Sequence, residues 1–282
     1  MGTTKLAAVI GAGLALAAAG CGSTTDKEKK TTAAFPVTVN ADNGSVRIAK
    51  RPTRIVSISA TATEDLFAVG AGPQVKAVDD YSTYPAHAPR TKLSGYQPNP
   101  EAIAGYRPDL VVVADNTNHV VESLEKLGVP VLVNPPANDL AGAYAQLEQL
   151  GAATGHRERA RSIVARMRSR VAAIAKQVAD VGTPLSVYHE LDGTFYSATS
   201  RTFIGRVYKL LGLRNIADRA AKGGPYPKLS GEYVVKSNPD LIVLADTVCC
   251  AQEPATVRKR PGFARIAAVR QGNVLPVADD LA

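Results

Sequence analysis

The chain has 282 residues, a formal net charge of +8 and no tryptophan. This length is sufficient for two small domains with separate cores. The charge excess is moderate, and the arginines between positions 157 and 170 are interspersed with apolar residues at helical spacing, which is typical of one amphipathic helix with a solvated basic face. Nucleic-acid binding would need aromatic residues or a known module among these charges, so that class is not expected.

The first segment has the pattern of an export signal. Lys5 precedes an apolar stretch, small residues follow, and Cys21 stands where a bacterial lipoprotein signal places its lipidated cysteine. We expect residues 1–20 to be a lipoprotein signal peptide, Cys21 to be the lipid anchor and residues 21–35 to be a flexible tether. A first helix of the folded domain is the alternative, but the apolar run is too short to span a bilayer. The sequence thus predicts an exported protein that is anchored at the extracytoplasmic face of the cell membrane and does not cross it.

The remaining chain alternates predicted strands and helices, which indicates βαβ units and parallel sheets. In its first half we expect a strand at 54–59, a helix at 63–69, a strand at 74–78, a short helix opened by Glu101, a strand at 110–114, a helix at 118–127, a strand at 129–133 and a helix at 140–153. A long helix at 157–178 follows. In the second half we expect a strand at 185–189, a helix at 202–211, a short helix opened by Glu232, a strand at 241–245, a helix at 256–268 and a strand at 274–277.

One stretch of this pattern occurs twice. Glu101 to Asp115 and Glu232 to Asp246 share the initial glutamate, a Pro-Asp-Leu turn, a run of branched apolar residues and a final aspartate. Such runs are typical of parallel strands covered on both faces. In open α/β sheets, ligands bind beyond the carboxyl ends of the strands. The repeat therefore predicts two similar lobes with a ligand cleft between them.

With these features the chain resembles the periplasmic substrate-binding proteins that serve ABC importers of cobalamin, iron-siderophores and haem. The segments closest to the cobalamin-binding branch are 80–85, Thr202 to Gly205, 212–216 and Tyr226-Pro227. The resemblance implies an α/β fold with two Rossmann-like lobes joined by one long α-helix, and a ligand cleft between the lobes. It implies an N-terminal lobe at 36–154, an inter-lobe helix at 155–181 and a C-terminal lobe at 182–282. It also implies a final helix after the last strand, which residues 182–282 lack.

The same resemblance implies a function without catalysis. We expect a monomeric substrate-binding lipoprotein of an ABC import system that captures cobalamin or a related metal chelate, with no cofactor of its own, and delivers it to the permease. Aromatic rings on loops beyond strand ends suit a large flat cargo. The predicted ligand-binding residues are Tyr81, Tyr84, Tyr96, Tyr196, Tyr226 and Asp279. The predicted permease-docking residues are Glu101 and Glu232, although a glutamate at a helix start is also favoured by the helix dipole alone.

Several alternatives stay open. An iron-siderophore or haem carrier would use cationic residues of the cleft, for which the candidates are Arg201, Arg206 and Arg214. A free metal ion would need histidines, of which the chain has His87, His119, His156 and His189. A surface sensor that does not transport is the third class. Cys249 and Cys250 could form a disulfide, remain thiols or bind a soft metal, but no zinc-site spacing accompanies them. The motifs of the common hydrolases and nucleotide-binding enzymes do not occur.

Overall fold

The computed structural model describes residues 35–179, 183–220 and 224–278. Two four-stranded parallel sheets dominate this part of the chain, and each forms the centre of one lobe. The N-terminal lobe contains β1 (Val37–Ala41), β2 (Gly44–Ile48), β3 (Ile55–Ile58), α1 (Ala60–Ala68), β4 (Val75–Val78), α2 (Pro100–Ala104), β5 (Leu110–Val113), α3 (Val120–Glu125), β6 (Val131–Val133) and α4 (Leu140–Thr154).

The C-terminal lobe follows α5 (Arg157–Ala179). It contains β7 (Ser186–Glu190), α6 (Phe203–Leu210), β8 (Arg214–Asn215), α7 (Gly231–Ser237), β9 (Leu241–Leu244), α8 (Pro254–Lys259), α9 (Ala267–Gln271) and β10 (Val274–Pro276). The predicted fold class is confirmed: the protein is an α/β protein with two lobes joined by one long helix. No helix in the described ranges is both long and apolar enough to cross a membrane.

The N-terminal sheet has the strand order β4-β3-β5-β6 and is covered on both faces. Successive strand residues point to opposite faces, so Leu110 and Val112 belong to one hydrophobic core, while Val111 and Val113 belong to another. Helices α1 and α4 supply side chains to the first core, and α3 supplies side chains to the second. Burial on both faces explains why this strand is apolar throughout.

The C-terminal sheet has the strand order β10-β9-β7-β8. Ile242 and Leu244 of β9 pack with Tyr188 of β7 and Phe263 in a single core cluster. In both lobes the repeated strand, β5 or β9, pairs in parallel with the first strand of the four-stranded sheet, β3 or β7. The two copies of the repeat therefore have the same place in their sheets.

Helix α5 begins in the N-terminal lobe. Ala160 and Val164 are buried in the core next to α4, and Ile163 and Met167 pack against the same core. The arginines of α5 are exposed, as the amphipathic pattern predicts. At 1.5 Å per residue, the helix is about 35 Å long, which is enough to connect two small lobes.

Three parts of the fold differ from the sequence prediction. The hairpin β1-β2 was not predicted, although Asn43-Gly44 between alternating residues is a strong hairpin signal. The short strand β8 was also missed. The helix predicted at 256–268 is wrong as a single element, because α8 ends before Pro261 and a 3-10 turn at Phe263–Arg265 separates it from α9. Arg260 has extended backbone angles, as residues that precede proline prefer.

Candidate functional site

Tyr81 and Tyr96 form an aromatic pair beyond the carboxyl end of β4. Their ring centroids are 4.8 Å apart and the rings are nearly perpendicular, which is the favourable edge-to-face arrangement. Both side chains remain open to solvent. A backbone hydrogen bond joins the two segments that carry these tyrosines: the N–H of Asp80 donates to the carbonyl oxygen of Leu93 at 2.9 Å. The sequence placed both tyrosines at this edge of the sheet, and the structure brings them into contact.

A buried polar network supports this pair. Oδ1 of Asp79 accepts from the backbone N–H of Ser82 at 2.7 Å, and the Ser82 hydroxyl is 2.9 Å from that of Thr63 in α1. Burial raises the pKa of Asp79, although its hydrogen bonds with Ser82 oppose that shift. Gly95 passes so close that a Cβ there would lie 2.6 Å from Oδ2 of Asp79. Any larger residue at position 95 would therefore force the Asp79 carboxylate to move.

Tyr196 and Tyr226 belong to the C-terminal lobe. The segment after β7 pairs with the segment before α7, because the backbone N–H groups of Ser197 and Thr199 donate to the carbonyl oxygens of Pro227 and Pro225. The two tyrosines therefore lie on adjacent chain segments. The ammonium group of Lys228 is 5.5 Å from the centroid of the Tyr196 ring, within the range of a cation-π contact.

All ten tyrosines of the chain lie in described residues, and their exposure separates them into two sets. Five are half-buried or buried. The exposed ones are Tyr81 (55%), Tyr84 (63%), Tyr96 (73%), Tyr196 (41%) and Tyr226 (51%). They are the five tyrosines that the sequence analysis selected, and each lies on a loop and not in a helix or strand. Exposed aromatic rings beyond the carboxyl ends of the strands in two sheets are available to cover an apolar surface.

A glycine shapes the loop behind Tyr196. Gly205 is the third residue of α6, and a Cβ there would clash with the carbonyl oxygen of Thr199. The Thr202 hydroxyl caps the helix by accepting from the backbone N–H of Gly205 at 3.0 Å. These contacts give a structural reason for the Thr-Phe-Ile-Gly segment. The threonine caps α6, and the glycine leaves room for the loop from β7 to pack tightly against the start of this helix.

A buried ion pair that sequence reasoning missed underlies the C-terminal part of the site. Glu190, the last residue of β7, is fully buried, and its two carboxylate oxygens each accept from the Arg260 guanidinium at 2.6 Å. The guanidinium also lies 5.6 Å from the Phe195 ring centroid and 5.4 Å from that of Phe263. Phe195 is adjacent to Tyr196, so the ion pair helps to position an exposed tyrosine. The glutamate that ends this strand was the only sequence signal for it.

The loop after β9 is attached to the same ion pair. Nη2 of Arg260 donates to Oε1 of Gln252 at 2.8 Å, and Nε2 of Gln252 donates to the carbonyl oxygen of Cys250 at 3.3 Å. Cys249 and Cys250 are exposed and joined by a disulfide bond, which selects one of the three alternatives considered for them.

A second ion pair joins the two lobes. Nη1 of Arg206 on α6 is 2.9 Å from Oδ2 of Asp139, the residue before α4. The other two arginine candidates differ: Arg201 donates to the carbonyl oxygen of Gly224, and Arg214 donates to that of Pro184. Arg214 begins β8, so it lies at the amino edge of the sheet, opposite the tyrosine loops.

The histidines are dispersed. His87 packs edge-on against Phe67, His119 lies beside Glu122, and His156 contacts Gln74. His189 is buried next to Tyr208, and burial lowers its pKa to about 4. Across residues 35–179, 183–220 and 224–278, no three His, Cys, Asp or Glu side chains are grouped so that they could hold a metal ion.

Glu101 and Glu232 occupy matching places in the two lobes. Each is exposed in the first turn of a short helix, α2 or α7. Asn99 and Ser230 cap these helices, because their side chains accept from the backbone N–H three residues later. The two carboxylates are therefore not needed as caps. Cys21 and Asp279 lie outside the described residues.

Comparison with known proteins finds similar chains. Residues 55–281 match the family described as "Periplasmic binding protein". A cobalamin-binding protein of Halobacterium salinarum is 36% identical over 218 residues, which cover 74% of this chain and 58% of that protein. The chain thus spans less than two thirds of that relative. The uncharacterized ABC transporter substrate-binding lipoprotein YvrC of Bacillus subtilis is 31% identical, and the match covers 98% of this chain and 91% of that protein.

Solved structures share the fold. The periplasmic vitamin B12 binding protein BtuF of Vibrio cholerae aligns with a TM-score of 0.66 at 24% identity, over 81% of this chain and 88% of that chain. The periplasmic heme-binding protein RhuT of Roseiflexus aligns with a TM-score of 0.68 at 22% identity, over 81% and 90%. At these identities the structures support the two-lobe architecture and leave the choice of ligand to other observations.

Proposed function

The chain belongs to the periplasmic binding protein family, and on this premise we propose that it is the extracytoplasmic substrate-binding lipoprotein of an ABC import system, with cobalamin or a closely related metal chelate as its cargo. The relatives named above support this proposal, because one is a cobalamin-binding protein and another is an ABC transporter substrate-binding lipoprotein. In this proposal the protein binds and delivers its cargo and performs no chemistry on it.

The observation that carries the choice of cargo is the set of five exposed tyrosines. Covering an exposed ring with a flat apolar surface lowers the free energy of the complex. The tyrosine hydroxyl can still form a hydrogen bond with a polar group at the rim of the ligand. Tyr81, Tyr84 and Tyr96 belong to one lobe, and Tyr196 and Tyr226 belong to the other. We propose that these residues bind the two sides of a corrinoid, with Asp279 as a further contact.

Delivery of the cargo to the permease depends on the lipid anchor, the docking residues and the oligomeric state of the protein. Cys21 carries the lipid that anchors the protein to the membrane, and residues 21–35 give the domain freedom to reach its partner. Glu101 and Glu232 dock onto cationic residues of the permease, one from each lobe, because charge complementarity sets orientation and speeds association. The protein acts as a monomer, since the two lobes together supply both halves of the binding site and both docking groups.

An iron chelate is the second candidate cargo. Its supporting observation is Arg206, a cation at the carboxyl edge of the C-terminal lobe. Trihydroxamate and catecholate siderophores and haem are commonly anionic or polar, and arginine is well suited to such groups. The carboxylate of Asp139 beside Arg206 makes this cargo the less favoured one.

Titration of the purified full-length chain tests the proposal. Cyanocobalamin, haem and a panel of ferric siderophores would be added in turn, with tyrosine fluorescence and calorimetry as the readouts. We expect saturable one-to-one binding of cyanocobalamin. Binding of an iron complex alone would assign the protein to iron acquisition, and no binding of any chelate would favour a sensor that does not transport.

A further inference from the structure

The ion pair between Arg206 and Asp139 lies where the two lobes meet. Arg206 belongs to α6, which follows the carboxyl end of β7, and Asp139 precedes α4, which follows the carboxyl end of β6. These are the sheet edges that carry the exposed tyrosines. The pair is also half-open to solvent, with 46% of the Arg206 side chain and 43% of the Asp139 side chain exposed. A ligand between the lobes could therefore compete with either partner.

The two oxygens of Asp139 have separate roles. Oδ1 accepts from the backbone N–H of Gly142 at 2.9 Å and caps α4, while Oδ2 contacts Nη1 of Arg206 at 2.9 Å. The backbone hydrogen bond from Gly142, together with the charge of Arg206, holds the pKa of Asp139 below its ordinary value. The carboxylate is thus charged at neutral pH and is held in place by the helix that it caps.

This arrangement has a consequence for charged ligands. A guanidinium is a favourable partner for a carboxylate, because it can donate two parallel hydrogen bonds. A cargo carboxylate that approached Arg206 would compete with Asp139 for the guanidinium, and the negative charge of Asp139 would repel it. A cargo without carboxylates would neither compete with Asp139 for Arg206 nor be repelled by Asp139. Specificity of this kind comes from what a site repels as well as from what it attracts.

We infer that Asp139 is a specificity-determining residue that disfavours metal chelates with free carboxylates, so that the cleft selects a chelate with an uncharged rim. The inference rests on the proposed function, namely that the cleft binds a flat metal chelate. Cobalamin carries the acid groups around its corrin ring as amides and has its one anionic group, a phosphodiester, in the nucleotide loop, whereas haem has two free carboxylates on the rim of its ring. The ion pair therefore favours the first cargo over the second without any contact that recognises the corrin ring itself.

Asp139→Asn is the informative variant. Asparagine is as good a helix cap as aspartate, so α4 keeps its cap while the charge beside Arg206 is removed. Glu148→Gln is the matched control, because Glu148 is an exposed carboxylate of α4 outside the Arg206 contact. The probes are two matched pairs of ligands: haem with its dimethyl ester, and cobalamin with a derivative in which one amide is hydrolysed to the acid.

In the full-length chain, Asp139→Asn should raise the affinity for the acid member of whichever pair binds by about fivefold relative to its neutral member. Glu148→Gln should leave this ratio unchanged, and adding Arg206→Gln to Asp139→Asn should remove the gain. An unchanged ratio in Asp139→Asn, or a gain that persists without Arg206, would overturn the inference while leaving the proposed function intact. If neither ring binds, the proposed function fails and this inference fails with it.

Discussion

The carboxylate of Asp240 accepts two hydrogen bonds from Ser186, one from its backbone N–H at 2.8 Å and one from its hydroxyl at 2.7 Å. Asp240 precedes β9, and Ser186 begins the neighbouring strand β7. In the N-terminal lobe Asp109 precedes β5 and accepts in the same way from the backbone N–H groups of Thr53 and Arg54, just before β3. The aspartate of each Pro-Asp turn thus fixes the start of one parallel strand to the start of the next, which gives a structural reason for its occurrence in both repeats.

Replacing this aspartate should destabilise the C-terminal lobe. Hydrogen bonds to charged groups contribute roughly 1.5 to 3 kcal/mol, and the site is partly open to solvent, so we expect Asp240→Ala to lower the free energy of unfolding by about 2 kcal/mol. Urea unfolding of the purified chain measures the change. Glu148→Ala, which removes an exposed carboxylate of α4, is a control of smaller effect. Equal losses in both variants would contradict the role assigned to Asp240.

The same contact predicts a pH dependence. Hydrogen bonds from the Ser186 backbone, and then from its hydroxyl, hold the pKa of Asp240 below its ordinary value. A depressed pKa in the folded state contributes stability above the unfolded pKa of about 3.9, and this stability is lost as the pH falls through the folded pKa. The difference in unfolding free energy between the unmodified chain and Asp240→Asn should therefore be constant between about pH 5 and pH 7 and shrink in stronger acid. A difference that grew on acidification would refute the assignment.

The pair of Glu190 and Arg260 should show strong coupling. Glu190→Gln leaves a largely buried guanidinium without its countercharge, and breaking a buried pair in this way costs about 3 to 5 kcal/mol. Arg260→Met leaves the buried carboxylate alone and should cost a similar amount. The double variant Glu190→Gln with Arg260→Met removes both charges and should lose less stability than the sum of the two single losses. Urea unfolding of the three variants gives the coupling energy, and simple additivity of the single effects would contradict it.

The exposed tyrosines predict a loss of affinity without a loss of stability. Tyr81→Ala and Tyr96→Ala should each weaken cyanocobalamin binding about three- to tenfold, because each removes a stacking surface and half of the aromatic pair. Tyr196→Ala should act similarly from the other lobe. Leu210→Ala removes an exposed apolar side chain near the amino edge of the sheet and should leave affinity unchanged. Calorimetric titration measures the affinities. Unchanged binding in all three tyrosine variants would remove these residues from the site.

Features of the site that depend on local sequence patterns can be predicted from the sequence, whereas contacts between distant residues cannot. Tyr81 and Tyr196 could be placed at sheet edges because the apolar strands before them end at recognisable positions. Glu190 and Arg260 are far apart in the chain, and the sequence around each residue contains no pattern that predicts their ion pair. The pairing of Asp139 with Arg206 depends on how the lobes face each other, which no local pattern encodes. The hairpin β1-β2, by contrast, has a local signal in Asn43-Gly44 and is predictable from the sequence.

The matched glutamates give the sharpest test of the import role. Glu101→Lys combined with Glu232→Lys should abolish uptake of the cargo by cells and leave its affinity for the purified protein unchanged. The reason is that both carboxylates are exposed and neither caps its helix, so reversal of their charge opposes docking without disturbing the fold. The control variant, Glu148→Lys with Glu158→Lys, makes the same change of net charge on exposed residues of α4 and α5 and should transport normally. Uptake that survives the first double variant would show that delivery does not use this pair, and a loss in both variants would trace the defect to net charge alone.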